Sequence, residues 1–532
     1  MTDIILTPNS AFPWFSRNNI HVKGFLFDNN DKFIQAEDLI LYFSEIRNET
    51  DFEKRLKTAN GNFAAVVQSG EKLYVSVDCL RSIPLFYALD HDSGRILISD
   101  TADEIRNKLN ISELSEKLEK EFVNTGYMTG QDTLIENIKQ IDSGEYIIFD
   151  KRENTLSTKY YNYFFEKSYK PIPSGNYSQM KAVSDRVYQR LIQSVNGKTI
   201  VIPLSGGYDS RYIAAALKDL NYEKVICYSY GKKSSYEAGV SQAVARQLGF
   251  EWHFAEYTDD IFQSYPDQEV LSYYRQAHNF VSIPHYQDFP AVRYLKKNQL
   301  IPDDSVIVPG HSGDLLRGDF ILHLLHTLSD DPIENADIFQ LIMNWHFNLH
   351  GLPPDKEQER YIQKIQHYFK DAKISEYRNM FDLFDSWDIA NRQSKLIVNS
   401  VRVYEYFGYE WRLPLWESEM FKFWYGLPVE QRFLYNDFLS DVYFKKYDID
   451  FKKWKESTSQ NIVSKAKQIM PEKMKVLLKK KFSGFADVNN LNTRMQKKMR
   501  DLNMDPKQAV NYKRNYISSL WTLNLIKSEL NK

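Results

Sequence analysis

The run Ser205-Gly206-Gly207-Tyr208-Asp209-Ser210 puts two glycines, two hydroxyls and one carboxylate between the apolar segment TIVIPL and the helical spacing of DSRYIAAALKDL. Adjacent glycines permit backbone conformations closed to other residues and let a ligand approach without side-chain obstruction. A helix that begins at once turns its free N–H groups and positive dipole end toward whatever the loop encloses, which makes an anion site. Ser205 and Ser210 add hydroxyl donors. Asp209 has the wrong sign for a bare phosphate and makes sense only beside a cation such as Mg²⁺. The chemistry implied is that of a magnesium-bound polyphosphate. The simpler alternative is a strand-to-helix turn in which Asp209 or Ser210 only caps the helix. The strand before, the helix after and the complete six-residue pattern favour the nucleotide. GxxxxGK[ST] with its lysine is missing, so this is not a Walker A loop, and reaction between the α and β phosphates is expected.

The elements that must position this loop alternate. TIVIPL, KVICYSY, FEWHFAEY and SVIVPG read as strands; DSRYIAAALKDL and YEAGVSQAVARQLG read as helices, and another begins at Asp314. That alternation predicts a parallel sheet with helices on its faces. Segments after about residue 325 carry helical spacing. Before residue 165 the signals are mainly of strands, in GNFAAVVQSG, KLYVSVDCL, PLFYAL and RILISD, with helical spacing in TADEIRNKLN and ISELSEKLEKEFVNTG and a hairpin in GEYIIFDKRENTLSTKYY turning at ENT. SYKPIPSGNYS is the linker candidate, with a boundary near residue 172.

The SGGxDS pattern after a strand resembles the pyrophosphatase loop of the N-type ATP pyrophosphatases, and most of the chain resembles the asparagine synthetase superfamily. CYSYGKKSSYEAGVSQAVARQLGFEWH is similar to that family's second strand and helix, VIVPGHSGDLLRGDF to its SGEGSDELFGGY loop, and EWRLPLWESEMFKFWYGLP to EARVPFLD followed by a helix and LP. In the N-terminal half, NGNFAAVVQSGEKLYVSVDCLRSIPLFYAL resembles DGxFAFVI…RDxxGxKPLYY, and TGQDTLIENIKQIDSGEYIIFD resembles GxxTLxxxIxxLxPGxxL.

The resemblance implies a two-domain protein of mixed α/β and α+β class. Residues 1–172 would form a degenerate glutaminase-like domain with an Ntn-hydrolase-like β-rich sandwich. Residues 173–532 would form a doubly wound parallel sheet, adenine nucleotide α-hydrolase-like, with a helical extension. The implied activity is an AMP-forming amide ligase that uses ATP and Mg²⁺ to adenylate a carboxylate and passes it to ammonia or an amine. ATP would lie against Leu204, Ser205, Gly206, Gly207, Asp209, Ser210, Tyr230, Gly231, Pro309 and Gly310. Asp209 and Asp314 would hold the metal, and His311 and Arg412 would be catalytic, with Pro414 on a family position. A homodimer is compatible with this reading.

Several positions depart from the family. The chain begins Met1-Thr2-Asp3, so the cysteine nucleophile of a glutaminase is absent, and an inert N-terminal domain is expected. A loop glutamate becomes His311, which can act as a general base near neutral pH or simply fill a pocket wall. A lysine that stabilises developing negative charge aligns with Asn436. Arg317, Lys445, Lys446 or the run KAKQIMPEKMKVLLKKKF, with seven lysines in eighteen residues, could replace it. That run also reads as a solvated helix face.

Composition fits these expectations. The chain has 532 residues, too many for one core, is 43% hydrophobic and 26% charged, and has a net charge of −2 that excludes a surface built for nucleic acid. Cys79 and Cys227, each in a strand-like run, suit reduced core thiols and a reducing, cytoplasmic setting. No secretory signal and no membrane-length apolar run is read. Zinc, NAD and flavin fingerprints are missing, and the aromatics at Tyr273, Tyr274 and FKFWYG suit a core or groove lining. The competing functional classes are a nucleotide-binding protein without ligase activity and, disfavoured by the lack of a CxxC pair, a sulfur-transferring or tRNA-modifying relative.

Overall fold

The computed structural model describes residues 2–90, 93–161, 171–173, 175–258, 267–318, 335–349, 351–370, 377–451 and 514–530. The lysine-rich run 465–482 lies outside them, as do residues 168–170 and 174 of the linker candidate.

Eleven strands are described in the N-terminal half: β1 (Thr2–Ile5), β2 (Phe15–Arg17), β3 (Ile20–Phe27), β4 (Phe33–Gln35), β5 (Asn60–Ser69), β6 (Lys72–Val77), β7 (Phe86–Asp90), β8 (Arg95–Ser99), β9 (Lys139–Gln140), β10 (Glu145–Asp150) and β11 (Thr155–Tyr160). They form two sheets, one ordered β1-β8-β7-β9 and the other β11-β10-β6-β5-β3-β2, with β4 also on β3. Inward residues of both, among them Val66, Val75 and Ile147 on one and Ile96 and Ile98 on the other, share a buried cluster, so the sheets make a sandwich. The hairpin β10–β11 has the expected place, and Asn154 takes a left-handed φ of 53° at its turn.

The C-terminal half has a five-stranded sheet, wholly parallel, ordered β14-β13-β12-β15-β16, built from β12 (Ile200–Pro203), β13 (Val225–Gly231), β14 (Glu251–Glu256), β15 (Val306–Ile307) and β16 (Glu410–Trp411). Ile200, Val201 and Ile202 are fully buried, as a parallel strand covered on both faces requires. The helices Tyr208–Asp219 and Tyr236–Leu248 follow β12 and β13 as expected from sequence. Tyr273 and Tyr274 are core, and both cysteines are free and buried.

Many contacts cross between the halves. Lys364 donates to Glu121 at 2.9 Å and to Asp132 at 2.8 Å, Lys395 pairs with Asp142 at 3.1 Å, and Phe12 packs on Trp411. The backbone of Tyr127 bridges to Ser282. No helix among the described residues is long and apolar enough to cross a membrane.

Candidate active site

β12 ends at Pro203, and Leu204, fully buried, is tied to β13 by its N–H to the Tyr228 carbonyl at 2.8 Å. The chain then leaves the sheet. Ser205 and Gly207 are exposed at the C-terminal end of the strand, where open parallel sheets bind ligands. Neither Gly206 nor Gly207 has a positive φ, so the expected need for unusual conformations is not met. Space does not demand glycine strongly here: a Cβ on Gly206 would lie 3.4 Å from the Glu237 side chain, an ordinary contact, and one on Gly207 would lie 3.1 Å from Ser205 Oγ, a tight one. The two serines brace the loop. The Ser205 N–H donates to Ser210 Oγ at 3.1 Å, and the Gly207 N–H donates to Ser205 Oγ at 3.1 Å.

Arg211 was not foreseen. Its guanidinium takes the carbonyls of Gly206 at 3.1 Å, Gly207 at 2.9 Å and Ile449 at 3.1 Å, and it packs between the rings of Tyr208, Phe444 and Phe451. With the loop carbonyls held by Arg211, the amides at the helix start are left to serve an anion.

The second loop, from Pro309 to Asp314, lies directly on the first. A Cβ at Gly310 would stand 2.7 Å from the Ser210 amide nitrogen, and one at Gly313 would collide with the Asp209 carboxylate. Glycine is required at both places by this close approach. Ser312 is held at a φ of 69°, unusual for a non-glycine residue, by its hydroxyl bond to Gln393 Oε1 at 2.7 Å. Gln393 is itself fixed by Asp388 at 2.8 Å; burial pushes Asp388 up to about 6, only partly offset by Arg392 and that bond. Arg432 clamps the short helix Gly313–Arg317 through the carbonyls of Leu315 at 2.7 Å and Leu316 at 3.3 Å, its charge balanced by Asp385 at 2.9 Å.

Asp209 and Asp314 are half-exposed at this junction. Tyr435 Oη reaches Asp209 at 3.5 Å, and Asp314 Oδ1 accepts from the Leu315 amide at 3.1 Å. The Asp209 carboxylate lies against Gly313, the residue before Asp314, and the two aspartates offer hard oxygen ligands. Mg²⁺ is commonly held by one or two carboxylates plus substrate phosphates, so the residues fit that ion. Among the described residues no group of three or more His, Cys, Asp or Glu side chains makes a complete metal cage.

His311 is half-buried, and its Nε2 lies 3.1 Å from Ser400 Oγ. Burial and the neighbouring His285 hold its imidazole down to about 3, so it is neutral at physiological pH instead of titrating near neutrality as expected. The candidate cations among the described residues differ in what holds them. Arg317 Nη1 donates to Asn436 Oδ1 at 3.2 Å, one residue from Tyr435. Lys445 pairs with Asp441 at 2.5 Å and Lys446 with Asp219, both exposed. Tyr230 stacks on Tyr257 at 5.1 Å, and Gly231 turns the end of β13 with a φ of 119°.

Arg412 is a correction. Its guanidinium bonds Ser194 Oγ and carbonyl, the Trp411 carbonyl and Glu410 at 2.9 to 3.1 Å, and lies 4.1 Å from the centre of the Phe25 ring. It is 3% exposed and fastens the two halves together. Gln393 and Ser400 were missed, although the polar residues in IANRQSKLIVNSV, within an otherwise apolar helical stretch, were a signal. That stretch is a π-helix, Ile389–Ile397, running into a 3₁₀ turn, Val398–Val401, a geometry frequent at functional sites.

Residues 182–437 match the family model described as asparagine synthase. The match covers just under half of the chain. Both loops lie inside it, and the match supports an enzyme that acts on ATP. No curated protein matches the chain. Among solved structures, it is similar to the NH3-dependent NAD synthetase from Campylobacter jejuni at 14% identity, over 40% of this chain and 94% of that one, with a TM-score of 0.21. The U34-tRNA thiolase from Methanococcus maripaludis matches at 12% identity, over 39% and 78%, with a TM-score of 0.20. The glutamine phosphoribosylpyrophosphate amidotransferase from B. subtilis matches at 11%, over 60% and 61%, with a TM-score of 0.18.

Proposed function

We propose that the asparagine synthase domain is an AMP-forming ligase that adenylates a carboxylate and transfers it to ammonia or an amine. The observation that carries this reading is the packing of Gly310 and Gly313 onto Ser210 and Asp209, which joins an anion-binding helix start to two carboxylates. In this reading the amides at the start of the helix Tyr208–Asp219, which the two serines do not occupy, hold pyrophosphate, and Tyr230 and Gly231 with Leu204, Pro309 and Gly310 border the nucleotide. Asp209 and Asp314 would hold Mg²⁺, which when bound neutralises phosphate charge. Arg317, kept near Asn436, faces the negative charge that grows as pyrophosphate leaves, a role in which a preorganised cation is a large catalytic term.

We propose the division near residue 172 and a structural N-terminal domain. Its carboxylates support that: Asp78 accepts from the amides of Phe63, Leu80 and Ser82 and from the Ser82 hydroxyl, leaving little for a substrate. Free glutamine should not be hydrolysed. The nitrogen would come from ammonia or from an amine, on the same molecule as the carboxylate or on another.

Carboxylate-dependent exchange of labelled pyrophosphate into ATP tests this, because exchange requires adenylation and binding alone gives none. Arg317→Ala should lower exchange by about tenfold to a hundredfold, with partial recovery on adding Asn436→Lys. Absence of exchange with every carboxylic acid tried would leave the nucleotide-binding protein without ligase activity as the better reading.

A further inference from the structure

A pocket of about 270 Å³ opens where three helices meet: Ala102–Lys108 of the N-terminal half, Asp267–His278 and Arg514–Leu530. It shares no residue with the two loops of the candidate active site. Its apolar lining is Phe280 and Ile526, both buried, and the half-buried Leu530. Beside them stands the His278 imidazole, which is 4% exposed.

Hydrogen bonding fixes the tautomer of that ring. The Phe280 backbone N–H donates to His278 Nδ1 at 3.0 Å, and a backbone N–H can only donate. Nδ1 is therefore the bare nitrogen, and the hydrogen of the neutral ring sits on Nε2. Burial, opposed by Asp103 and reinforced by Arg275, holds the imidazole down to about 4, so it is neutral at physiological pH. Among the described residues Nε2–H has no acceptor, and it is not sealed off from solvent, so it opens onto the pocket that the ring lines. A donor at this depth asks for an acceptor from outside the chain.

The charged residues of the lining are already matched in pairs. Arg106 donates through Nε to Asp103 at 2.7 Å and spends its other nitrogens on the Ile111 carbonyl at 3.2 Å and on Asn107 at 2.6 Å. Arg275 donates through Nε to Glu529 at 2.7 Å, which orients the guanidinium and leaves Nη1 and Nη2 without an acceptor among the described residues. Two arginines and two carboxylates sum to zero. A dianion such as phosphate finds no net charge there to offset the loss of its hydration. A monocarboxylate needs only what the pocket leaves open: the Nη hydrogens of Arg275, which match carboxylate oxygens, one buried donor, and apolar surface for the rest of the molecule.

We propose that this pocket binds a small monocarboxylate with an apolar body, its carboxylate on Arg275 and His278 Nε2–H and its body on Phe280 and Ile526, in a site separate from the nucleotide loops. The site does not depend on the ligase reading.

Titration of the full-length chain with benzoate at pH 7, followed by calorimetry and by ¹⁵N-histidine spectra, tests this. A single equivalent should bind with a Kd of about 1 mM, and the His278 Nε2 resonance should shift. Benzamide, which lacks the charge, and inorganic phosphate should each bind at least about tenfold more weakly. Arg275→Gln changes a side chain that is 49% exposed, so the variant should fold, and it should weaken benzoate about tenfold. His278→Asn keeps an acceptor for the Phe280 amide but places nothing at Nε2, whereas His278→Gln supplies an N–H near that position; the first should lose benzoate binding and the second retain part of it. An unshifted His278 at about 10 mM benzoate, undiminished affinity in Arg275→Gln, or phosphate binding as tightly as benzoate would each overturn the proposal. Those three results need only the unmodified chain and Arg275→Gln, so they decide the matter even where the His278 variants fail to fold.

Discussion

Asp100 in the N-terminal sandwich accepts from the Thr7 amide at 2.9 Å, the Thr7 hydroxyl at 3.1 Å, Trp14 Nε1 at 2.8 Å and Lys23 Nζ at 3.4 Å. Asp314 at the junction of the two C-terminal loops accepts from its own neighbour's amide and is half-exposed. Asp100 directly follows β8, whereas Asp314 lies in the short helix Gly313–Arg317 after the loop that leaves β15. The first is saturated by fixed donors and belongs to the architecture; the second, among the described residues, accepts only from the Leu315 amide. A charged side chain therefore reveals its use less by its type than by how much of its bonding capacity the protein has already filled.

The sharpest way to break this contrast is to neutralise each kind of acid. Asp209→Asn and Asp314→Asn should lower pyrophosphate exchange about a hundredfold or more, while thermal unfolding changes by about 1 kcal/mol or less. A large fall in melting temperature with Asp209→Asn would instead mark it as a helix cap.

Asp100→Ala should do the opposite. It leaves Lys23, which is 5% exposed, without its carboxylate, and breaking a buried pair costs about 3–5 kcal/mol. Chemical denaturation would show that loss. Exchange per folded molecule should be unchanged, and lost exchange in a stable variant would place the sandwich in the chemistry.

A smaller effect concerns the seam between the halves. Burial alone would raise the pKa of Asp132, but Lys364 and Lys139 outweigh it and hold the group at about 2, below its ordinary 3.8. A depressed carboxylate stabilises the fold above its unfolded pKa and loses that contribution as pH falls through the folded value. The shift corresponds to about 2 kcal/mol, present above pH 4 and lost toward pH 2. Lys364→Met should be less stable than the unmodified chain at pH 7, and the gap should narrow over that acidic window. A gap independent of pH would show that Lys364 acts by packing alone.

Much of this was legible in the sequence because it is local. The SGGYDS loop, its strand and its helix lie within Ile200 to Asp219, and the alternation around them pointed to a parallel sheet. The supports were not legible because they come from far along the chain. Ser400 lies 89 residues from His311, and Asn436 lies 119 from Arg317. Arg412 misled for the same reason: its neighbours in sequence resemble a catalytic segment, but its partners are Ser194 and the Phe25 ring. Gly206 and Gly207 were read for conformational freedom, whereas the glycines under a strict constraint are Gly310 and Gly313, whose close approach to Ser210 and Asp209 appears only once the two loops meet.

The central claim is that this pair of loops directs reaction to the α phosphate of ATP. Following a reaction with magnesium, ATP and a carboxylate that supports exchange by ³¹P NMR tests it most directly. AMP and pyrophosphate appearing in equal amounts is the predicted result, and ADP with orthophosphate would contradict the account.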